Sequence, residues 1–418
     1  MRALAVAAMA LLVVSSGCGG ASSSGAERRS REHLSTDLRK AVTTAGMQAH
    51  LVALQRIADA NGGHRAAGTA GYNASVRYVR TQLTRAGLRV RLQSFPYVRF
   101  SVDLVRGQQL APAERDLAPR AFEYSGSGKV RGEVVAAGDG CQSGDFGGDV
   151  KGRIALIRRG SCFFAVKAAN AARAGAAAAI IFNNEAGPLS ATLVEPGIGM
   201  PVVGVTQQVG STLAGATVEV EVRARTVRTT VQNVIADSPR AGRAPTLMVG
   251  GHLDSVTAGA GIDDNGTGVA ALLELAEALQ RLEPRHHVRF GFWGAEESGL
   301  HGSRAYVRVA ANRRAVSGYL NFDMLGARRY TRGVYRGPFA YVFERYFAAH
   351  GLRSETIDIS GRSDHASFDD VGIATGGLFS GGDPCYHQRC DRIPNVNLRG
   401  LDELADAAAH GIALLEPR

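Results

Sequence analysis

The sequence predicts an α/β fold: a mixed, mostly parallel central sheet with helices on both faces, plus an inserted, mostly-β module. Two observations carry that expectation. From Thr229 onward, apolar strand-like runs alternate with helical stretches, the pattern of parallel strands joined by crossover helices. Residues 116–228 read differently, as short strand-like runs around a single Ala-rich helix. Composition supports a folded chain, with 45% hydrophobic and 21% charged residues among 418. A chain too polar to bury a core is thereby excluded.

Taken in order, Met47, Leu51, Leu54 and Ala58 recur at helical spacing, and Asn61-Gly62-Gly63 stops that helix. Tyr72, Val76, Val79 and Leu83 line one face of a second helix ending at Gly87. Residues 88–95 alternate as a strand. In the inserted block the strand-like runs are 132–136, 153–157, 178–182, 201–205 and 218–222, with a helix at 163–174. Beyond it, strands are predicted at 246–250, 288–293, 319–324 and 375–379. Helices are predicted at 268–282, 302–310, 339–350 and 399–415. Ligands of such sheets bind beyond the carboxyl ends of the strands, so the residues that follow these runs matter most.

The N-terminus reads as an address. Arg2 followed by an apolar run from Ala3 to Val14 has the length and flanks of a signal peptide over 1–17, too short to span a bilayer. Small residues before Cys18 and a Gly/Ser stretch after it resemble a bacterial lipoprotein signal, which would leave Cys18 as a lipidated first residue. Plain secretion is the alternative. Residues 18–35 are polar and are expected to form a flexible tether. An exported protein is expected, in contact with a membrane only through a lipid anchor at Cys18. The five Cys fit that compartment. Cys141 and Cys162 lie in one region and Cys385 and Cys390 in another, so two local bridges would use four and leave Cys18.

The chain carries 48 basic and 38 acidic residues, and only Lys40, Lys129, Lys151 and Lys167 are Lys. The Arg are scattered rather than blocked, which argues against a nucleic-acid footprint.

Five short segments place His and carboxylates just after apolar strands. They are Gly251-His252-Leu253-Asp254-Ser255, Gly261-Ile262-Asp263-Asp264-Asn265-Gly266, Trp293-Gly294-Ala295-Glu296-Glu297, Asn321-Phe322-Asp323-Met324 and Cys385-Tyr386-His387-Gln388. Solvated charges are not expected there, and together the five point to a metal site. Imidazole and carboxylate donors suit zinc. Two His and three carboxylates suit two metals sharing one carboxylate, which would clamp a hydroxide and polarise a carbonyl. A further carboxylate alongside would serve as general base.

In order and wording these segments, with NGGHRAAGTAGY at 61–72 and GRSDHASF at 361–368, resemble the co-catalytic dizinc aminopeptidases of the Streptomyces type. That family also includes glutamate carboxypeptidases and glutaminyl cyclases. The resemblance covers roughly residues 45–115 and 229–418. It implies that His252 and Asp323 ligate one zinc, that Glu297 and His387 ligate the other, and that Asp264 bridges them. Asp263 competes for the bridging role, and the family pattern Asp-Asn-Gly-Ser/Thr-Gly selects Asp264. Glu296 is then the general base, Asp254 holds the His252 ring through its other nitrogen, and Tyr386 hydrogen-bonds the oxyanion. Arg362 is expected to face substrate, and Phe379 to wall a pocket for large apolar N-terminal residues. His365 is read as structural. A Cys385–Cys390 bridge would fix the loop presenting Tyr386 and His387.

The inserted block resembles the protease-associated domain through Gly140-Cys141, Asp145-Phe146, the 152–164 stretch, Lys167 and Ala174-Gly175-Ala176. The resemblance implies a Cys141–Cys162 bridge and a non-catalytic role. The domain reading is therefore a first peptidase part over 36–115, the protease-associated domain over 116–228, and a second peptidase part with the metal site over 229–418. The expected protein is a monomeric, exported zinc aminopeptidase with two Zn2+ per chain, acting on peptides. A zinc carboxypeptidase and a glutaminyl cyclase-like acyltransferase are the alternatives. The chain stops at Arg418, so the helical dimerisation domain of the carboxypeptidase relatives is not expected. Calcium near Asp402 and Asp406 is left open.

Overall fold

The structure is a computed structural model and describes residues 20–417 apart from 241, 243, 244 and 284. The expected signal peptide and Cys18 lie outside the described residues. The chain forms two units: one joins the segment ending at Phe95 to Thr230–Arg418, and the other is Pro96–Thr229.

The first unit begins with helices α1 (Gly20–Ala41), α2 (Thr44–Asp59) and α3 (Ala70–Arg85). The Thr43 and Thr69 side chains cap α2 and α3 by accepting from Gly46 N and Tyr72 N, satisfying amides that have no partner within the helix. The long strand β1 (Thr217–Asp237) enters this unit with its last residues. Then follow β2 (Thr246–His252), α4 (Gly268–Leu282), β3 (Val288–Trp293), α5 (His301–Arg308), β4 (Val316–Phe322) and β5 (Gly333–Tyr335). The unit closes with α6 (Ala340–Ala349), β6 (Glu355–Ile357), α7 (His365–Asp369), β7 (Thr375–Phe379) and α8 (Leu398–Leu415).

The strand order is β6-β5-β7-β4-β2-β3-β1. The neighbours β3, β2, β4 and β7 are parallel, whereas β1 against β3 and β5 against β7 are antiparallel. This is the mixed, mostly parallel sheet that the alternation of apolar runs predicts. All seven residues of β2 are buried, as a strand covered on both faces must be. Met248 clusters with Trp293, Tyr306 of α5 and Phe368 of α7. Gly251 points the opposite way, and a Cβ there would come 3.6 Å from Leu272 of α4. The same Cβ would lie 2.5 Å from the Phe322 carbonyl oxygen. Only glycine fits, and β2 and β4 can thus deliver their C-terminal ends side by side.

In the second unit the strands run in the order Arg120–Ala121, Val202–Val205, Ala178–Phe182, Ile154–Arg158, Gly128–Ala136 and then the start of β1. The middle four are parallel. Ala155 and Ile157 feed one core, and Ile154 and Leu156 the other, the two-sided alternation of a sandwiched strand. A helix at Phe164–Arg173 packs on the first core through Ala168 and Ala171. Cys141 and Cys162 are bridged, as are Cys385 and Cys390 in the first unit.

Two boundaries differ from the sequence reading. The inserted unit starts at Pro96 rather than at residue 116. Alternation over 88–95 stops at a proline, which lacks a ladder donor, yet the strand continues as Arg89–Ala111. Proline is tolerated where a strand position needs no ladder bond. Val98 and Phe100 pack against the insert's core, and Gln108 and Gln109 pair with Asp116 and Arg115.

The other difference is the tether. Where residues 18–35 are described they belong to α1, with Leu34 and Ser35 buried. The helix is held on α8: Arg31 donates to the Leu414 carbonyl, the Ser35 hydroxyl lies 3.0 Å from His410 Nδ1, and Arg39 pairs with Asp406 at 3.2 Å. Apolar residues are too sparse here to show helical periodicity, so docking rather than local pattern decides the conformation. Leu34→Ala should cost about 2–3 kcal/mol in urea unfolding, the lower part of the range for buried leucines. A cost under about 0.5 kcal/mol, typical of a surface position, would restore the tether.

Candidate metal centre

The predicted metal-ligating residues lie at or beyond the C-terminal ends of parallel strands. His252 closes β2 opposite Trp293 of β3, and Glu296 and Glu297 lie in the turn just beyond. Asp323 follows β4. Asp264 sits in the short helical turn Ile262–Thr267 that leads into α4, and its peptide bond to Asn265 is cis. The Asn265 side chain fixes this turn, donating to Phe322 O (2.9 Å) and accepting from Gly268 N (3.0 Å) and Met324 N (3.1 Å). His387 is carried by the Cys385–Cys390 loop. Ala295, Met324 and His387 adopt φ of 56°, 51° and 57°. Left-handed backbone at non-glycine residues is strained and concentrates at functional sites.

These side chains converge into two clusters. His252 Nε2 lies 3.1 Å from Asp264 Oδ1 and 3.4 Å from Asp323 Oδ1. His387 Nε2 lies 3.3 Å from Asp264 Oδ2 and 2.8 Å from Glu297 Oε2. Asp264 thus presents one oxygen to each histidine. In each cluster one donor atom per residue lies within 4.8 Å of the others. Two buried oxygens, Asp323 Oδ1 and Glu297 Oε1, have no hydrogen-bond donor. Buried carboxylates without donors are costly unless a cation faces them, and imidazole with carboxylate is a donor set suited to zinc. The residues therefore fit two divalent ions.

Burial alone would raise Asp264, but hydrogen bonds from His252 and His387 outweigh it and hold the carboxyl below its ordinary range. Burial, reinforced by Asp264, pushes Glu297 up to about 7. Burial also pushes Glu296 well up, opposed by His252 and assisted by Asp364 and Glu297. Against its own burial, His387 is held up at about 10 by Asp264 and Glu297. In this cluster the histidines supply the positive charge that a divalent ion would bring.

Partners around the clusters fix their directions. Asp254 is fully buried; its main-chain oxygen lies 3.2 Å from His252 Nδ1 and its carboxylate 3.8 Å away. The same carboxylate accepts from Glu296 N at 3.2 Å. Ser363 donates to Asp323 Oδ2 at 2.6 Å and accepts from Asn321 Nδ2 at 2.8 Å.

His252, Asp264, Glu296, Glu297 and Asp323 line a cavity of about 340 Å3 whose other walls include Met324, Ile359, Arg362, Phe379 and Tyr386. That size holds a side chain and adjoining backbone. Tyr386 is 49% exposed and stacks on the His387 ring at 3.8 Å. Burial and the nearby carboxylates raise its hydroxyl, which keeps it a donor at neutral pH. Arg362 reaches the Asp358 carbonyl at 3.5 Å. Asp263 points elsewhere, accepting from Gly326 N at 3.0 Å. His365 lies against Tyr335 at 4.8 Å. Asp402 and Asp406 are engaged by Thr44 and Arg39 and form no metal-holding group among the described residues. Of the other residues here, Ile359 lies in no motif of the sequence, Ser363 only in GRSDHASF and Met324 only in the Asn321–Met324 segment.

The profile of Peptidase family M28 matches residues 233–412, and that of the PA domain matches residues 130–213. An aminopeptidase of Pseudomonas aeruginosa is 37% identical over 85% of this chain and 78% of its own length. A "Probable lipoprotein aminopeptidase LpqL" of Mycobacterium tuberculosis is 36% identical over 90% of this chain and 86% of its own. Among solved structures, BSAP, a zinc aminopeptidase from Bacillus subtilis, superposes with a TM-score of 0.69 at 26% identity, covering 89% of this chain and 95% of that one. The chain belongs to peptidase family M28 and is a zinc-dependent aminopeptidase with an inserted PA domain.

Proposed function

We propose that this chain is an exported, dizinc aminopeptidase that removes large apolar N-terminal residues from peptides. The observation that carries the reading is the shared carboxylate: Asp264 faces His252 with one oxygen and His387 with the other. His252, Asp264 and Asp323 would hold one zinc, and Asp264, Glu297 and His387 the other. When bound, the two ions polarise the scissile carbonyl and make water nucleophilic near neutral pH. Glu296, on the cavity wall, takes the proton of the attacking water and passes it to the leaving amine, the exchange expected of a general base with a raised pKa. Tyr386 donates its hydroxyl to the developing oxyanion. Asp254 holds His252 from behind and links it to the Glu296 amide. Met324, Ile359 and Phe379 give the cavity an apolar part of its lining, which supports a large apolar residue there. Arg362, which also lines the cavity, would meet the substrate backbone. A signal peptide over 1–17 and a lipid at Cys18 are the proposed route of export, in keeping with the lipoprotein name of one relative.

Mass spectrometry of the purified protein should count two zinc ions per chain, and a chelator should abolish cleavage of leucine anilide while aspartate and N-blocked anilides remain uncleaved throughout. His252→Ala or His387→Ala should lower the count. Full occupancy in the double variant would overturn the ligand assignment.

The neighbouring glutamates separate the roles. Glu296→Gln should keep both zincs and lose about 10²–10⁴-fold in kcat, the usual loss on removing a general base. Glu297→Gln should shed or weaken one zinc, with partial recovery in excess metal. The reverse pattern would exchange the two assignments.

A further inference from the structure

The NGGHRAAGTAGY segment has no part in the chemistry above, yet Arg65 within it is fully buried. Its guanidinium serves main-chain carbonyls: Nε donates to Ala260 O at 3.0 Å, Nη2 to Gly261 O at 2.6 Å, and Nη1 to Leu253 O. Its own amide donates to Ser255 Oγ at 2.9 Å. These acceptors bracket the loop that leaves β2 directly after His252 and leads to Asp264. Gly261 permits the close approach, since a Cβ there would lie 2.4 Å from the Asp264 carbonyl oxygen and 3.2 Å from Arg65 Nη2.

Asp391 supplies the opposite charge at the far end of the same loop. Its carboxylate accepts from Asp263 N at 2.7 Å and Asp264 N at 3.1 Å, and the residue is 3% exposed. It directly follows Cys390, whose bridge to Cys385 closes the loop carrying His387. The loop is irregular, so its buried amides and carbonyls need partners that no helix or strand provides. Charged partners make the stronger bonds. A cation gathers the carbonyls and an anion gathers the amides.

We propose that Arg65 and Asp391 are positioning residues for the bridging carboxylate. Together they fix the main chain on both sides of Asp264, so that its two oxygens stay aimed at His252 and His387. Asp391 also ties the His387 loop to the Asp264 amide, which makes bridging ligand and terminal ligand one mechanical unit. The inference rests on the dizinc reading of the site. Two metals about 3.5–4 Å apart leave a shared carboxylate little room to turn.

The test compares full-length wild type, Asp391→Asn, Arg65→Lys and Leu401→Ala, a buried α8 position that belongs to neither donor cluster. Zinc affinity is measured by competition with a chromogenic chelator, alongside kcat, KM and thermal unfolding. Asp391→Asn keeps the shape but replaces one accepting oxygen with a carboxamide NH2 that faces a main-chain N–H, and Arg65→Lys loses the planar fork. Each should weaken zinc by about 10–100-fold, the usual effect of losing a partner behind a metal ligand. Turnover should fall while KM changes little. Leu401→Ala should lose stability but keep wild-type zinc affinity and kcat. Wild-type zinc affinity and kcat in either folded variant would overturn the proposal, as would a matching loss of affinity in Leu401→Ala. Fewer than two zincs in the wild type itself would instead sink the dizinc reading, so the two failures are distinguishable.

Discussion

One carboxylate has to face two imidazoles at once, and much of the first unit is arranged around that demand. Asp264 meets His252 and His387 through different oxygens, although the two histidines come from distant parts of the chain. His252 arrives at the end of a central parallel strand and His387 on a disulfide-closed loop. A carboxylate turned away from this setting would lose one partner. The turn from β2 into α4 must therefore be held more firmly than an ordinary loop. Asn265 holds it from the β4 side, through the Phe322 carbonyl and the Met324 amide.

The parallel sheet supplies the rest of the convergence. In register, His252 stands beside Trp293 and Gly250 beside Asn321, so β2, β3 and β4 end together. Of the residues just beyond them, Glu296, Glu297 and Asp323 line one cavity, and Asp254 is buried against His252. Because β2 is buried along its whole length, these polar groups emerge at the one edge where apolar packing stops. Low-dielectric surroundings strengthen every interaction there. The same burial raises Glu296 and Glu297 while neighbouring histidines hold Asp264 down. The shared carboxylate is thereby set apart in character from both neighbouring glutamates.

The second unit follows a different logic. Its central strands each feed two apolar cores, and it contributes none of the residues of the two donor clusters. Within it, Lys167 lies buried with its amine toward Asp139 O and Cys141 Sγ, bracing the segment that the Cys141–Cys162 bridge closes.

Sequence by itself determined the fold class, the order of the parallel strands' chemistry and the short segments from which the site is built. Each of those signals is local: an apolar run, a period, or a motif placed directly after a strand. The pairing of cysteines within their own regions was legible for the same reason. Tertiary structure alone decided that α1 docks where a tether was expected, because Leu34 and Ser35 are buried only through contact with a helix at the other end of the chain. It also decided that a strand runs on through Pro96 into the inserted unit. Arg65 and Asp391 belong to this second class: their partners lie 196 and 128 residues away. A buried charge bonded to main-chain atoms leaves no complementary side chain in the sequence to reveal it, because any residue type supplies the same amide and carbonyl.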